Sequence, residues 1–271
     1  MISSIKHKTI FDFENSPSLV IQRLHVIPSQ SQNQKLLNYD IDIVGGKLAL
    51  ESNDCHGNKV QLCVNEAGVS SMEIIMSGRV NVTGNNGIIG PHDNSLPLEL
   101  YKNHTHLSKP GPRLRELGKE LKSSSPIEKN GGLDILHELS IFILKNIKYA
   151  KGKTNIGTTA EAAMEIGAGV CQDHTHAFIA VARLLGFSSR YVSGYLSSGD
   201  GQSYEATHAW AEVYVGDLGW VGFDVSNGIS PDERYIKIAT GFDYLDVVPI
   251  SGIRIGDGTE QISTEIKFSQ Q

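Results

Sequence analysis

Three side chains in this 271-residue chain combine the types needed for nucleophilic attack on a carbonyl: Cys171, His208 and Asp224. A thiol attacks as the thiolate, so it needs a base, and the leaving group then needs a proton donor. Histidine serves both ends near neutral pH. A carboxylate bonded to one ring nitrogen leaves the other facing the thiol. Cys171 follows the Gly167-Ala-Gly169-Val170 break and opens a helical pattern. At a helix start, unpaired N–H groups and the positive end of the macrodipole favour a thiolate and can receive an oxyanion. Gly169 reads as clearing room for a substrate backbone. The reaction expected of such a trio is acyl transfer through a thioester.

The elements that must position these groups are legible around them. Apolar residues at helical spacing predict a helix over Leu114, Leu117 and Leu121, and a second from after Gly132 to near Lys148. Thr159–Ile166 is a short helix with Thr158 or Thr159 as N-cap. The nucleophile's helix runs from Cys171 to Leu185, with an apolar stripe of Ala177, Phe178, Val181, Leu184 and Leu185, and Gly186 closes it. Strands follow at Arg190–Leu196, Thr207–Val215, Gly219–Val225 and Tyr235–Thr240. His208 opens one strand and Asp224 ends the next, and Gly216–Gly219 joins the two as a hairpin, so the pair can meet.

Upstream, the pattern is all-β. Strand-like runs occur at His7–Phe13, Val20–Ile27, Gln34–Val44, Lys59–Val64 and Met72–Val82, with a turn at Asp54–Asn58 in which Gly57 or Asn58 takes a positive φ. The expected fold class is α+β: a β-sandwich-like domain over 1–107, then a domain over 108–271 with helices packed on an antiparallel sheet. The boundary falls in the Gly- and Pro-punctuated stretch Thr83–Pro112, whose apolar residues suit a segment lying on the second domain.

Composition narrows the function classes. Hydrophobic residues at 39% and charged residues at 20% describe a globular chain, and the formal charge of −6 without a Lys/Arg run argues against a nucleic-acid binder. No membrane-spanning run and no apolar leader are visible, so a cytoplasmic setting is expected. Three cysteines suit a reducing compartment, with Cys55 and Cys63 read as half-buried strand residues. The rival chemistry is a zinc site drawing on Cys171, His174, His176, His208 and the His104-Thr-His106 pair. That spacing matches no standard zinc pattern, so neither metal nor organic cofactor is expected. Asp173 is read as a helix cap or loop anchor, and Trp210 and Trp220 as groove or core residues.

The segments Gly169-Val-Cys171-Gln-Asp173, Ser193-Gly-Tyr195, His208-Ala-Trp210-Ala-Glu212-Val and Gly219-Trp-Val-Gly-Phe-Asp224 with Asn227-Gly228 resemble the bacterial transglutaminase-like superfamily. Gln22-Arg23-Leu24 and Asp54…Gly57-Asn58 resemble the N-terminal domain that precedes its core. The resemblance implies a papain-like core and a Cys-His-Asp triad, carried onto Cys171 as nucleophile, His208 as base and Asp224 as third member. The chain departs from the pattern at His174-Thr-His176 and at Val225-Ser226. The resemblance implies a protein, peptide or amide substrate and most readily a protease- or amidase-like hydrolysis. Transamidation, or a non-catalytic peptide-binding module on the same fold, are the alternatives.

Overall fold

The computed structural model describes residues 1–93, 95–124, 132–197, 203–204 and 206–270. In chain order the first strands are β1 (Ile2–Phe13), β2 (Leu19–Leu24), β3 (Gln34–Val44), β4 (Gly46–Asn53), β5 (Lys59–Asn65), β6 (Ser71–Val82) and β7 (Ile88–Gly90). The middle of the chain holds α1 (Pro112–Ser124), α2 (Leu133–Asn146), β8 (Lys148–Tyr149), α3 (Ala160–Ile166), β9 (Ala168–Gly169) and α4 (Cys171–Leu184). The remainder is β10 (Ser189–Leu196), β11 (Ser203–Tyr204), β12 (His208–Val215), β13 (Gly219–Phe223), β14 (Tyr235–Gly241), β15 (Ile250–Ile255) and β16 (Glu260–Gln270).

Two antiparallel sheets build the sandwich, ordered β11-β16-β1-β6-β3 and β15-β2-β5-β4. Alternate residues of β1, β2 and β6 are buried, as a strand with one wet face requires. Phe11, Met72 and Ile74 of one sheet share a core with Val20, Leu24 and Cys63 of the other. β4 was not foreseen. Its leucines, Leu48 and Leu50, alternate with Lys47, Ala49 and Glu51 over a few residues only, and every residue after Gly46 is exposed. Gly57 takes the positive φ, 81°, in the turn between β4 and β5. Cys55 lies exposed in that turn rather than on a strand, and Cys63 is fully buried.

A third sheet, β14-β10-β12-β13-β7, carries the helices. α4 packs on β12 and β10 and is flanked by α1, α2 and α3. Its burial exceeds the expected stripe: every residue from Asp173 to Arg183 is buried. Arg183 is tolerated there because its guanidinium donates to the carbonyls of Tyr101, Ser189 and Phe242 and to Ser108 Oγ, at 2.7–3.0 Å. Burial pulls its pKa down to about 10.

The sheets cross the expected boundary at residue 107 in both directions. β7 pairs with β13, while β15 and β16 return to pair with β2 and β1. Periodicity reports that a strand has a buried face, not which sheet receives it, so the division into 1–107 and 108–271 does not follow the strand pairing. The stretch Thr83–Pro112 does lie on the core, with Tyr101 buried against Trp220. Among the described residues no helix is long and apolar enough to cross a membrane.

The edge of the core sheet is closed by side chains from the sandwich. Gln34 pairs with the backbone of Lys237 as a peptide would, its Nε2 donating to the carbonyl at 2.7 Å and its Oε1 accepting the N–H at 2.8 Å. Asn58 does the same with Thr240, at 2.8 Å both ways. An open strand edge invites foreign pairing, and these two amides occupy it. Replacing Asn58 strands a buried donor and acceptor; replacing Gln34 strands the Lys237 N–H, while the Lys237 carbonyl keeps the Ser29 N–H at 2.9 Å. We expect Asn58→Ala and Gln34→Ala each to lower unfolding stability by about 1–3 kcal/mol, read from urea denaturation of the full chain.

Candidate active site

Cys171 is the first residue of α4, after Val170 in extended conformation. The turn that delivers it is braced by Asp173, which is buried. Asp173 Oδ2 accepts the Val170 N–H and the Thr154 hydroxyl, both at 2.7 Å, so it caps the helix and anchors a loop at once. Burial raises its pKa, against the pull of these donors. A Cβ on Gly169 would stand 2.5 Å from Asp173 Oδ2 and 2.7 Å from its Cβ. The glycine therefore makes room for this brace, not for a substrate backbone as the sequence suggested. The N–H groups of Cys171 and Gln172 lie in the first turn, where no intrahelical acceptor exists.

His208 begins β12 and Asp224 follows β13. The register Ala211↔Phe223 places Asp224 diagonal to His208 across the hairpin. His208 Nε2 bonds Asp224 Oδ2 at 2.6 Å. The Cys171 thiol lies near enough to the His208 ring to help raise its pKa. Burial alone would lower the His208 pKa. The hydrogen bond to Asp224, the Cys171 thiol and the charges of both outweigh it and hold the ring up at about 10. Burial likewise opposes the Asp224 charge, but His208, Tyr235 and Asn227 bring that carboxyl down to about 2.

Several members of this site were missed at the sequence level. Tyr235 of β14 donates its hydroxyl to Asp224 Oδ2 at 2.7 Å, and Asn227 Nδ2 donates to the same oxygen at 2.7 Å. Ser226 Oγ and the Asn227 N–H serve Oδ1 at 2.8 and 3.1 Å. Asp224 thus closes the turn that follows β13 as well as holding His208. The available signals were the Ser226-Asn227-Gly228 turn and a lone strand tyrosine; nothing in sequence aims the latter at Asp224.

Burial first, then the Cys171 charge, raises the pKa of the Tyr149, Tyr191 and Tyr244 phenols, so all three lie within electrostatic reach of the thiol. Trp210 stacks beside His208, with centroids 6.3 Å apart. Its ring explains Gly194, where a Cβ would fall 2.4 Å from Trp210 Cη2. Trp210 and Trp220 are both buried, the latter under the Arg190 guanidinium at 4.1 Å. Tyr195 faces the sandwich, where its hydroxyl meets His7 Nδ1 at 2.7 Å.

The zinc alternative finds its donors dispersed. His174 directs Nδ1 to the Val170 carbonyl and Nε2 to the Ile147 carbonyl, each at 2.8 Å. His176 is buried, with Nε2 accepting the Tyr244 N–H and its pKa lowered to about 3 by burial and then by Arg183. His104 Nδ1 meets the Ser108 carbonyl at 3.1 Å. Among the described residues no three His, Cys, Asp or Glu side chains group for a metal. The buried thiol of Cys63 has its pKa pushed up to about 11 by burial.

Comparison with known proteins agrees with this architecture. Residues 122–225 match the transglutaminase-like superfamily core, and residues 3–81 match the bacterial transglutaminase-like N-terminal region. The uncharacterised protein Rv2569c of Mycobacterium tuberculosis is 34% identical over 152 residues, covering 52% of this chain and 48% of that protein. ML0607 of Mycobacterium leprae is 33% identical over 129 residues, covering 46% of each. The chain spans about half the length of these curated relatives. A crystal structure of a candidate cysteine protease from Cytophaga hutchinsonii superposes with a TM-score of 0.74 over 99% of this chain and 90% of its own, at 18% identity, a likeness of fold. With the core behind its N-terminal region in one continuous architecture, the chain belongs to the bacterial transglutaminase-like superfamily.

Proposed function

We propose that this protein is a thiol enzyme attacking a peptide or amide carbonyl, with Cys171 as nucleophile, His208 as acid and base, and Asp224 as the group that orients His208. The observation that carries the reading is the 2.6 Å His208–Asp224 bond, together with a Cys171 thiol near enough to help raise the His208 pKa. Sulfur adds to the carbonyl carbon, and the developing oxyanion meets the first N–H groups of α4. His208 gives its proton to the departing amine, leaving a thioester on Cys171. Water, deprotonated by His208, then adds to the thioester and releases acid and thiol.

Hydrolysis is the outcome we favour, because water reaches a half-buried thiol without a second binding site. An amine taking the place of water would give transamidation through the same thioester. A module that only bound peptides would have no use for a thiol held against a charged imidazole. The substrate's acyl acceptor separates the first two readings. The acyl-enzyme, trapped from a peptide library and read by mass spectrometry, should carry its fragment on Cys171.

Three outcomes are expected. Alkylation by iodoacetamide should be fast at pH 5–6, where an ordinary thiol with a pKa of about 8.5 is slow; a Cys171 that reacts no faster than free cysteine there would remove the ion pair from the mechanism. Cys171→Ala should abolish turnover and acyl-enzyme formation while circular dichroism stays unchanged, and activity surviving that change would disprove the nucleophile. The third concerns pH. The proton on His208 is held more tightly in the folded state than its ordinary 6.5, so its stabilisation is complete below that value and is lost as pH rises through about 10. The Asp224 charge acts in the opposite direction: its contribution is present above pH 3.8 and lost as pH falls through about 2. Asp224→Asn should bring the His208 titration back towards neutrality in an NMR experiment and lower turnover by roughly 10²–10⁴-fold.

A further inference from the structure

Between Glu138 and Glu161 the chain carries four lysines, Lys145, Lys148, Lys151 and Lys153, and no carboxylate side chain. They are spaced rather than contiguous, which is why no basic run stands out in the sequence. All four are exposed, and none forms an ion pair among the described residues. Lys145 has a local reason to be there, in the last turn of α2, where the helix dipole favours a cation. Lys148, Lys151 and Lys153 have none, in a chain whose formal charge is −6.

Their segment is fastened to the nucleophile's turn. Lys148 and Tyr149 pair in parallel with Ala168 and Gly169, and the Ala150 N–H donates to the Gly169 carbonyl at 2.8 Å. Thr154 reaches Asp173, and Gln172 Nε2 donates to the Ile156 carbonyl at 3.2 Å. Between these anchors Tyr149 lies close enough to Cys171 to feel its charge, and it is 55% exposed, so it forms part of the open rim. The lysines thus sit on an exposed segment tethered to the turn that carries Cys171. Charge of one sign along a cleft concentrates and orients ligands of the other. The Asp224 charge reaches Tyr149 on this segment, but it is paired at 2.6 Å with the protonated His208.

Resting on the thiol-enzyme reading above, we propose that the acyl donor is an acidic peptide, with Asp or Glu side chains flanking the attacked residue and lying along the 148–153 segment. A nucleic acid is the competing polyanion, but it offers no acyl group to a thiol placed beside the lysines.

The test uses matched peptidyl chloromethyl ketones that differ only in flanking Glu, Gln or Lys. Cys171 sulfur displaces chloride, so inactivation reports delivery of the peptide to the thiol without knowledge of the natural substrate. The Glu-flanked reagent should inactivate roughly 10-fold faster than the Lys-flanked one at about 20 mM salt, and the ratio should collapse towards unity near 0.5 M salt. The triple variant Lys148→Gln, Lys151→Gln, Lys153→Gln should lose that ratio. Equal rates for the three reagents at low salt would overturn the proposal, as would a ratio that survives the triple variant. A single-stranded oligonucleotide that protects Cys171 more strongly than a Glu-rich peptide would overturn it in favour of nucleic acid. Iodoacetamide labelling at pH 5–6 separates the two levels of failure. If labelling is fast but shows no acidic preference, the substrate class alone falls. If labelling is slow, the thiol-enzyme reading falls with it.

Discussion

A carboxylate withdrawn from water must find donors for both oxygens, and at Asp224 five converge among the described residues: two on Oδ1 and three on Oδ2. Without them the buried charge would cost several kcal/mol or pick up a proton. With them it stays anionic, and that fixed negative charge decides the state of His208. The imidazole keeps its proton although burial alone would remove it. The two groups move in opposite directions, His208 up and Asp224 down, because each stabilises the other's charge. The chemistry proposed at Cys171 is downstream of this one arrangement.

The donors come from three places in the chain. Ser226 and Asn227 belong to the turn after β13, whose backbone closes on itself through the Asp224–Ile229 bridge. His208 comes from the neighbouring strand. Tyr235 comes from β14, the outer strand of the core sheet, and β14 is held at its free edge by Gln34 and Asn58. The sandwich therefore reaches the active site through a physical chain of contacts, from two side-chain amides to a strand to a phenol to a carboxylate. The spatial connection alone does not make it an allosteric route. It does explain why an early polar motif, Asp54 to Asn58, belongs in a chain whose chemistry lies more than a hundred residues later.

The nucleophile's helix has a different requirement. α4 is central and almost wholly buried, so its polar residues each need a local partner. His174 finds two carbonyls, Arg183 finds three carbonyls and a hydroxyl, and Asp173 turns back on the N-cap. Those contacts fix the helix start rigidly, which is what a nucleophile on its first residue needs. The rim is looser in composition: an exposed tyrosine and a lysine-bearing segment hang on the same turn. Precision is thus confined to the interior, while the surface that meets a ligand carries charge and aromatic area.

What the sequence determined by itself is the candidate trio and the local scaffold. Cys171 at a helix start and His208 and Asp224 on adjoining strands were legible because each depends on near neighbours: a glycine break, an apolar stripe, a four-residue hairpin. The helix limits and the strands of the core were legible for the same reason, since periodicity is a local property. Only the tertiary structure decided the rest. It assigned β7 to the core sheet and returned β15 and β16 to the sandwich, because strand pairing depends on partners distant in the chain. It recruited Tyr235 and Asn227 to Asp224, gave Gly169 to the Asp173 brace, and set Gly194 against Trp210. Each of these is a contact at a distance of a few ångströms, and the spacing of residues along a chain carries no such distance until the chain has folded.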